Sequence, residues 1–382
     1  MQTITADPLE VLRTRTSMKW RAFPEDVLPL PVAEMDFPLA EPIAEVLLAA
    51  IQRSDTGYAP PNSDLPEAFA AFAEQRWGWA VDPEQVGVTT DVGLAIVETL
   101  RRVVSPGDGV VINPPVYFPF FDLVKESGAR VVGVPLAGSI ADGWCLDFEA
   151  IERAFRAGAR AYLLCNPHNP VGLVHPISQL QELASLATRY AVTVISDEIH
   201  GPLVHSDATY TPFLSVSDEA REMGVCLTSA SKAWNLAGLK CALMVTANGT
   251  ARPAMDSLPD EVHWRTSILG LLASTAAYRH GGPWLDGVLR CLDHNRGLLA
   301  TLLQEHLPDV GYRMPQATYL AWLDLRSLGW GDDPAVRALE QARVGLSSGP
   351  LFGAQGKGFA RLNFACSPEV LAEAVQRLAA AR

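Results

Sequence analysis

In the stretch LTSASKAWNLAGLK, residues 227–240, Lys232 follows Thr228, Ser229 and Ser231 at the end of an apolar run. A loop lysine is ordinarily a solvated surface charge. It can instead be a covalent anchor for a carbonyl compound, and hydroxyls gathered beside it then suit a phosphate. Four other polar clusters bear on the choice: TTD at 89–91, NPPVY at 113–117, NPHNPVG at 166–172 and DEIH at 197–200.

Each cluster closes a short apolar run. From about residue 84 the chain alternates QVGVTT, GDGVVINPP, ARVVGVPL, ARAYLLCNP, AVTVISDEIHG, GVCLTSASK and CALMVTA with longer amphipathic stretches such as VGLAIVETLRRVV and ISQLQELASLATRY. Runs of four to six apolar residues without strict alternation suit strands covered on both faces. The pattern predicts an α/β fold, with a mainly parallel sheet of seven strands between helices. Ligands of such sheets bind at the carboxyl ends of the strands, where the five polar clusters gather. The proline-rich beginning and the segments TYLAWLDL and KGFARLNFAC lack this alternation. They are expected to form a smaller α/β domain from both chain ends, residues 1–45 and 286–382, leaving 46–285 as the large domain.

The bulk numbers narrow the function. At 382 residues the chain is long enough for one large domain and a companion. A formal charge of −13, with no run of basic residues against it, disfavours nucleic acid and anionic membranes as partners. The six cysteines are scattered, without C-x-x-C or a spacing to histidine that suits a metal, so none is expected. They read as buried thiols of a reducing compartment, and with no signal-peptide pattern or membrane-length apolar run the expected location is cytoplasmic.

If Lys232 holds an aldehyde, as pyridoxal 5'-phosphate requires, the remaining parts have candidates at strand ends. Asp197 can pair with the ring nitrogen, although an Asp before a helix is often only a cap. Asn169 can donate its amide to the 3' oxygen, although Asn-Pro is also a turn signal. His200 can add a second hydrogen bond near that oxygen. Tyr117 can lay its ring on the pyridine. TTDVGLAIVETL offers a helix N-terminus for the phosphate at Val92 and Gly93, with the hydroxyls of Ser229 and Ser231 nearby.

The ordered set PVYFPF, CNPHNPVG, SDEIHG and SASKAWNLAGL resembles the fold-type I pyridoxal-phosphate enzymes, the aspartate aminotransferase superfamily, and most of all its MalY/PatB cystathionine β-lyase branch. The likeness runs from VAEMDFPL through GYAPP to ATYLAWLDL and KGFARLNFAC, nearly the whole chain. It implies Lys232 as the Schiff-base lysine, Asp197 and Asn169 as ring partners and Tyr117 as the stacking ring. It further implies Arg361 as the site for the substrate α-carboxylate, with Asn169 beside it, and a homodimer in which Tyr58 reaches the neighbouring subunit's phosphate. Lys240 stands where aminotransferases carry a phosphate-binding Arg. Asp91 departs from the usual small residue, and its carboxylate would repel the phosphate unless turned away or used as a cap. Glu34 replaces a more usual Asp.

The implied activity is β-elimination on cysteine S-conjugates, giving a thiol, pyruvate and ammonia. An aminotransferase shares the same parts, and a catalytically idle regulatory protein would keep them without turnover. Trp20, Tyr319 and Trp264 are candidate lining residues for the distal end of the substrate.

Overall fold

The computed structural model describes residues 4–247 and 249–382. Seven strands form the central sheet: β1 (Val86–Thr89), β2 (Gly109–Ile112), β3 (Arg130–Gly133), β4 (Ala159–Cys165), β5 (Thr193–Asp197), β6 (Gly224–Thr228) and β7 (Ala242–Val245). Their order is β1-β7-β6-β5-β4-β2-β3. Six run parallel, and β7 runs against both its neighbours. Their sequences lack strict alternation because both faces are covered. Val110, Ile112, Ala161, Leu163, Ile195 and Leu227 pack toward helix α1 (Val92–Val103), while Val111, Tyr162, Leu164, Val194 and Cys226 enter the core on the other face. Each buried aliphatic side chain contributes roughly 1.5–3 kcal/mol, so the sheet is a rigid platform for whatever stands at its edge.

The parallel register brings the site residues together. Cys165 pairs with Asp197, Asp197 with Leu227, and Ala242 with Thr89, so the ends of β1, β4, β5 and β6 share one edge. Helix α1 begins at that edge. Asp91 caps it, accepting the Leu94 N–H at 2.8 Å, and Ala95, Ile96 and Leu100 bury against the sheet. Arg101 and Arg102 in its last turn complement the helix dipole.

The smaller domain is built from both chain ends, as expected. An antiparallel sheet of β8 (Gly311–Tyr312), β9 (Leu320–Asp324), β10 (Ser347–Ser348) and β11 (Phe359–Asn363) has the order β8-β9-β11-β10. Leu28–Pro29 pairs in parallel with Val344–Gly345, which ties the beginning of the chain to its end. A 25-residue helix, Gly282–His306, packs on Pro368–Ala380 and gives the small domain its helical layer.

Between the domains lies an irregular segment, residues 31–36, whose backbone carbonyls are satisfied by side chains. Asn363 Nδ2 donates to Val32 O at 2.7 Å and Glu34 O at 2.6 Å. Ser347 and Arg361 both donate to Pro31 O, at 2.8 and 2.9 Å. Asn235, in the lysine loop, accepts from the Met35 N–H at 2.9 Å and donates to Met35 O at 3.0 Å. Lys19 and Asp36 form a fully buried ion pair at 2.7 Å. Replacing Asn363 with Ala should destabilise the protein by about 1–3 kcal/mol, because two part-buried carbonyls lose their amide donor and the Ala365 N–H loses its acceptor. Asn363→Asp should be at least as damaging, since its carboxylate would face those carbonyls; chemical denaturation of both variants checks this.

Candidate active site

Lys232 lies within a four-residue helix, Ala230–Ala233, that begins just after β6 ends. Ser229 caps it: its hydroxyl accepts the Ser231 N–H at 3.1 Å and donates to Cys241 O at 2.6 Å. That hydroxyl is buried and committed to the turn, whereas the half-buried Ser231 hydroxyl makes no hydrogen bond among the described residues. Lys232 Nζ donates to Ala33 O at 3.0 Å, and Tyr319 OH donates to the same oxygen at 2.9 Å. Burial, then the positive charge of Arg361, lowers the Lys232 ammonium to about 8, against the pull of Glu34 and Asp197. Lys232 is therefore half-buried under a domain boundary, not a loop charge in solvent.

Asp197, at the end of β5, is 5% exposed. Its Oδ1 accepts the Ile199 N–H at 3.2 Å, and Oδ2 takes no hydrogen bond among the described residues. Burial raises it to about 7; the Ile199 N–H and Lys232 oppose the shift, and Glu198 adds to it. Glu198 itself points away into a closed network. Its carboxyl accepts from Ser196 at 2.7 Å, from the Phe213 N–H at 2.8 Å, from the Cys226 thiol at 3.1 Å and from the Tyr210 hydroxyl. Its N–H donates to Leu227 O at 2.7 Å, fastening the Asp197 turn to the strand that leads to Lys232.

Arg361 on β11 is buried with no carboxylate at ion-pair distance among the described residues. Nη1 donates to Asn169 Oδ1 at 3.0 Å, Nη2 to Pro31 O and to Ser347 Oγ at 3.1 Å, and Nε is buried without a partner among the described residues. The Phe352 ring lies 5.0 Å from its Cζ. Burial pulls its proton affinity down to about 10. The Arg361 bond orients Asn169, whose Oδ1 is occupied while Nδ2 makes no hydrogen bond among the described residues.

His200 is buried, with Nδ1 unpartnered and its ring against Tyr319. Burial, Lys232 and Arg361 push it down to about 3, so the ring is neutral. Tyr117, half-buried, is pushed up to about 12 by burial and then by Asp197. It stands within electrostatic reach of Asp197, Arg361 and Asp91.

At the start of α1, Leu94 and Ala95 give their N–H groups to Asp91, while those of Val92 and Gly93 stay free among the described residues. Asp91 does serve as a cap, and its other oxygen pairs with Lys240 Nζ at 3.1 Å. Tyr58, 85% exposed, lies edge-on to Trp264. Among the suggested lining residues, Tyr319 is in the site, Trp20 is buried, and Trp264 is half exposed beside Tyr58.

The unpartnered groups form a matched set with Lys232. Free donors at Val92, Gly93 and Ser231 suit a phosphate; Asp197 Oδ2 suits a ring N–H; Asn169 Nδ2 and His200 suit a ring oxygen; the Lys232 amine, held among the described residues only by Ala33 O, suits an aldehyde. These residues fit pyridoxal 5'-phosphate.

Comparison with known proteins agrees with this geometry. The family description "Aminotransferase class I and II" matches residues 25–378. The chain belongs to that family, the fold-type I pyridoxal-phosphate-dependent superfamily, and is most like its MalY/PatB cystathionine β-lyase group. A Mycobacterium tuberculosis protein provisionally named a cystathionine beta-lyase is 48% identical, over 97% of this chain and 96% of that one. Cystathionine beta-lyase PatB of Bacillus subtilis is 34% identical over 96% of each. The structure of cystalysin from Treponema denticola, which contains a pyridoxal 5'-phosphate cofactor, superposes with a TM-score of 0.91 at 27% identity, covering 97% of this chain and 96% of that one.

Sequence reasoning missed Ala33 O, Asn235, Ser347 and Asn363. All four act through or upon backbone and join positions remote in sequence. The raised Asp197 gives a test. Between its ordinary 3.8 and about 7 the folded state holds a proton that the unfolded chain releases, so this group's contribution to stability falls as pH rises through that window. In the cofactor-free chain Asp197→Asn should raise Tm at pH 8 and make little difference at pH 4.5, as thermal unfolding at the two pH values will show.

Proposed function

We propose that the chain is a pyridoxal-5'-phosphate-dependent carbon–sulfur lyase that cleaves cysteine S-conjugates such as cystathionine, yielding a thiol, pyruvate and ammonia. The observation that carries this is one site in which the edge of the central sheet supplies a lysine of lowered proton affinity and a buried carboxyl, while the small domain supplies a buried guanidinium with no counter-ion among the described residues. Relatives named as cystathionine β-lyases match the chain over nearly its whole length.

When bound, the cofactor supplies an aldehyde carbon that condenses with amines and a ring that withdraws electrons from the adjoining carbon. Val92, Gly93 and Ser231 would hold its phosphate, with Lys240 beside them. Asp197 would keep a proton on its ring nitrogen, Asn169 and His200 would hydrogen-bond its ring oxygen, and Tyr117 would pack on the ring. Ser229 keeps the lysine turn in shape.

Arg361 takes the substrate α-carboxylate with the donors its protein partners leave over, a charge-assisted contact in a dry setting. Asn169, already bonded to Arg361, fixes where that carboxylate sits. Lys232 would remove the Cα proton of the bound substrate. Near pH 7 roughly one in ten such amines is already neutral if its ammonium titrates about a unit higher, and the charge of Arg361 helps keep it so. The thiolate then departs from Cβ and is protonated, and water completes release of pyruvate and ammonia.

Amino transfer to a 2-oxo acid would use the same groups, with Lys232 returning the proton to the cofactor. The proposed enzyme is a homodimer in which exposed Tyr58 reaches the phosphate site of the partner subunit, and six free cysteines suit a cytoplasmic location. Purified protein given cystathionine should release pyruvate and homocysteine in equal amounts, and Lys232→Ala should lower turnover by at least ~10³-fold. Amino transfer that requires a 2-oxo acid, without pyruvate from cystathionine, would overturn the lyase reading. Tyr58→Ala should weaken cofactor retention while leaving Tm of the cofactor-free chain unchanged, as dialysis followed by absorbance will report.

A further inference from the structure

The phosphate end of the site contains a charge that works against its ligand. Asp91 Oδ1 is fixed by the Leu94 N–H at 2.8 Å and lies so near Gly93 that a Cβ there would approach it to 3.3 Å. The carboxylate thus borders the two free amides of Val92 and Gly93. Its other oxygen holds Lys240 Nζ at 3.1 Å. Lys240 reaches this position from a left-handed backbone conformation, φ 57°, that non-glycine residues seldom adopt. The pair is partly exposed, with side-chain exposures of 57% for Lys240 and 39% for Asp91, so ligand and solvent can both compete for it.

The pair is near enough to the site to act on it weakly: Asp91 adds a small upward push to the proton affinity of Tyr117, and Lys240 a small downward one to that of Lys232. An arriving phosphate dianion would meet two amides, one free hydroxyl and an ammonium already bound to a carboxylate. Repulsion between like charges a few ångströms apart near a surface weakens binding several-fold, and the cap keeps Asp91 from turning away.

We propose that Asp91 is an affinity-limiting residue: by holding Lys240 and standing beside the Val92 and Gly93 amides, it weakens capture of the cofactor through its phosphate. This rests on the proposed pyridoxal-phosphate site. Asn or Ser at position 91 keeps the helix cap and removes the charge, which separates electrostatics from folding.

The experiment measures dissociation constants of pyridoxal 5'-phosphate and of pyridoxal, which lacks the phosphate, for the wild-type protein, Asp91→Asn and Asp91→Ser, by absorbance and tryptophan-fluorescence titration. Both variants should bind pyridoxal 5'-phosphate about five- to tenfold more tightly, bind pyridoxal as the wild type does, and keep its Tm. Unchanged or weaker binding of pyridoxal 5'-phosphate, or an equal gain for pyridoxal, overturns the inference. A wild-type protein that takes up no pyridoxal 5'-phosphate overturns the proposed function, and the inference with it.

Discussion

The site depends on how residues 31–36 are held. This segment has no regular hydrogen-bond ladder of its own along its length, yet it crosses the boundary between two packed domains, where unmatched carbonyls are costly. Its acceptors are met by Ser347, Arg361 and Asn363 from the small domain and by Lys232 and Asn235 from the large one. The fastening that satisfies the backbone also sets the distance between the guanidinium and the amine. Arg361 and Lys232 stand on different domains and are brought to one place by sharing a strip of main chain.

Around that strip the charges are poorly compensated. Arg361 is buried without a carboxylate among the described residues, Asp197 is pushed up to about 7, and Lys232 is drawn down to about 8. Folding alone would favour replacing such groups with apolar ones. Their retention is intelligible if ligand groups supply the missing partners: a carboxylate for the guanidinium, a ring N–H for Asp197 and an aldehyde for the amine. The Glu198 network shows the opposite solution, with four donors converging on one buried carboxyl. One acid of the Asp-Glu pair is satisfied within the protein, and its neighbour is left open.

Much of this was legible in the sequence. The seven apolar runs all became strands of one sheet, and their polar ends met at one edge because parallel register requires it. The reversal of β7 was not anticipated, although the lysine loop carries only two very short helical turns in place of a full crossover helix, and a return strand is then natural. Ser229 and Ser231 looked equivalent by type; only the turn geometry separates the committed hydroxyl from the free one. Likewise the question raised by Asp91 had its answer 149 residues away, in Lys240. Contacts made by a carbonyl, such as Ala33 O, leave no trace in residue identity, since any amino acid offers the same oxygen.

That oxygen has two donors, Lys232 and Tyr319. Should the ammonium swing aside, the phenol would keep hold, so the crossing strip need not come loose whenever the amine changes partners. A catalyst whose anchor must repeatedly let go gains from such redundancy: the mobile member is spared any architectural duty, and its comings and goings are insulated from the joint it touches.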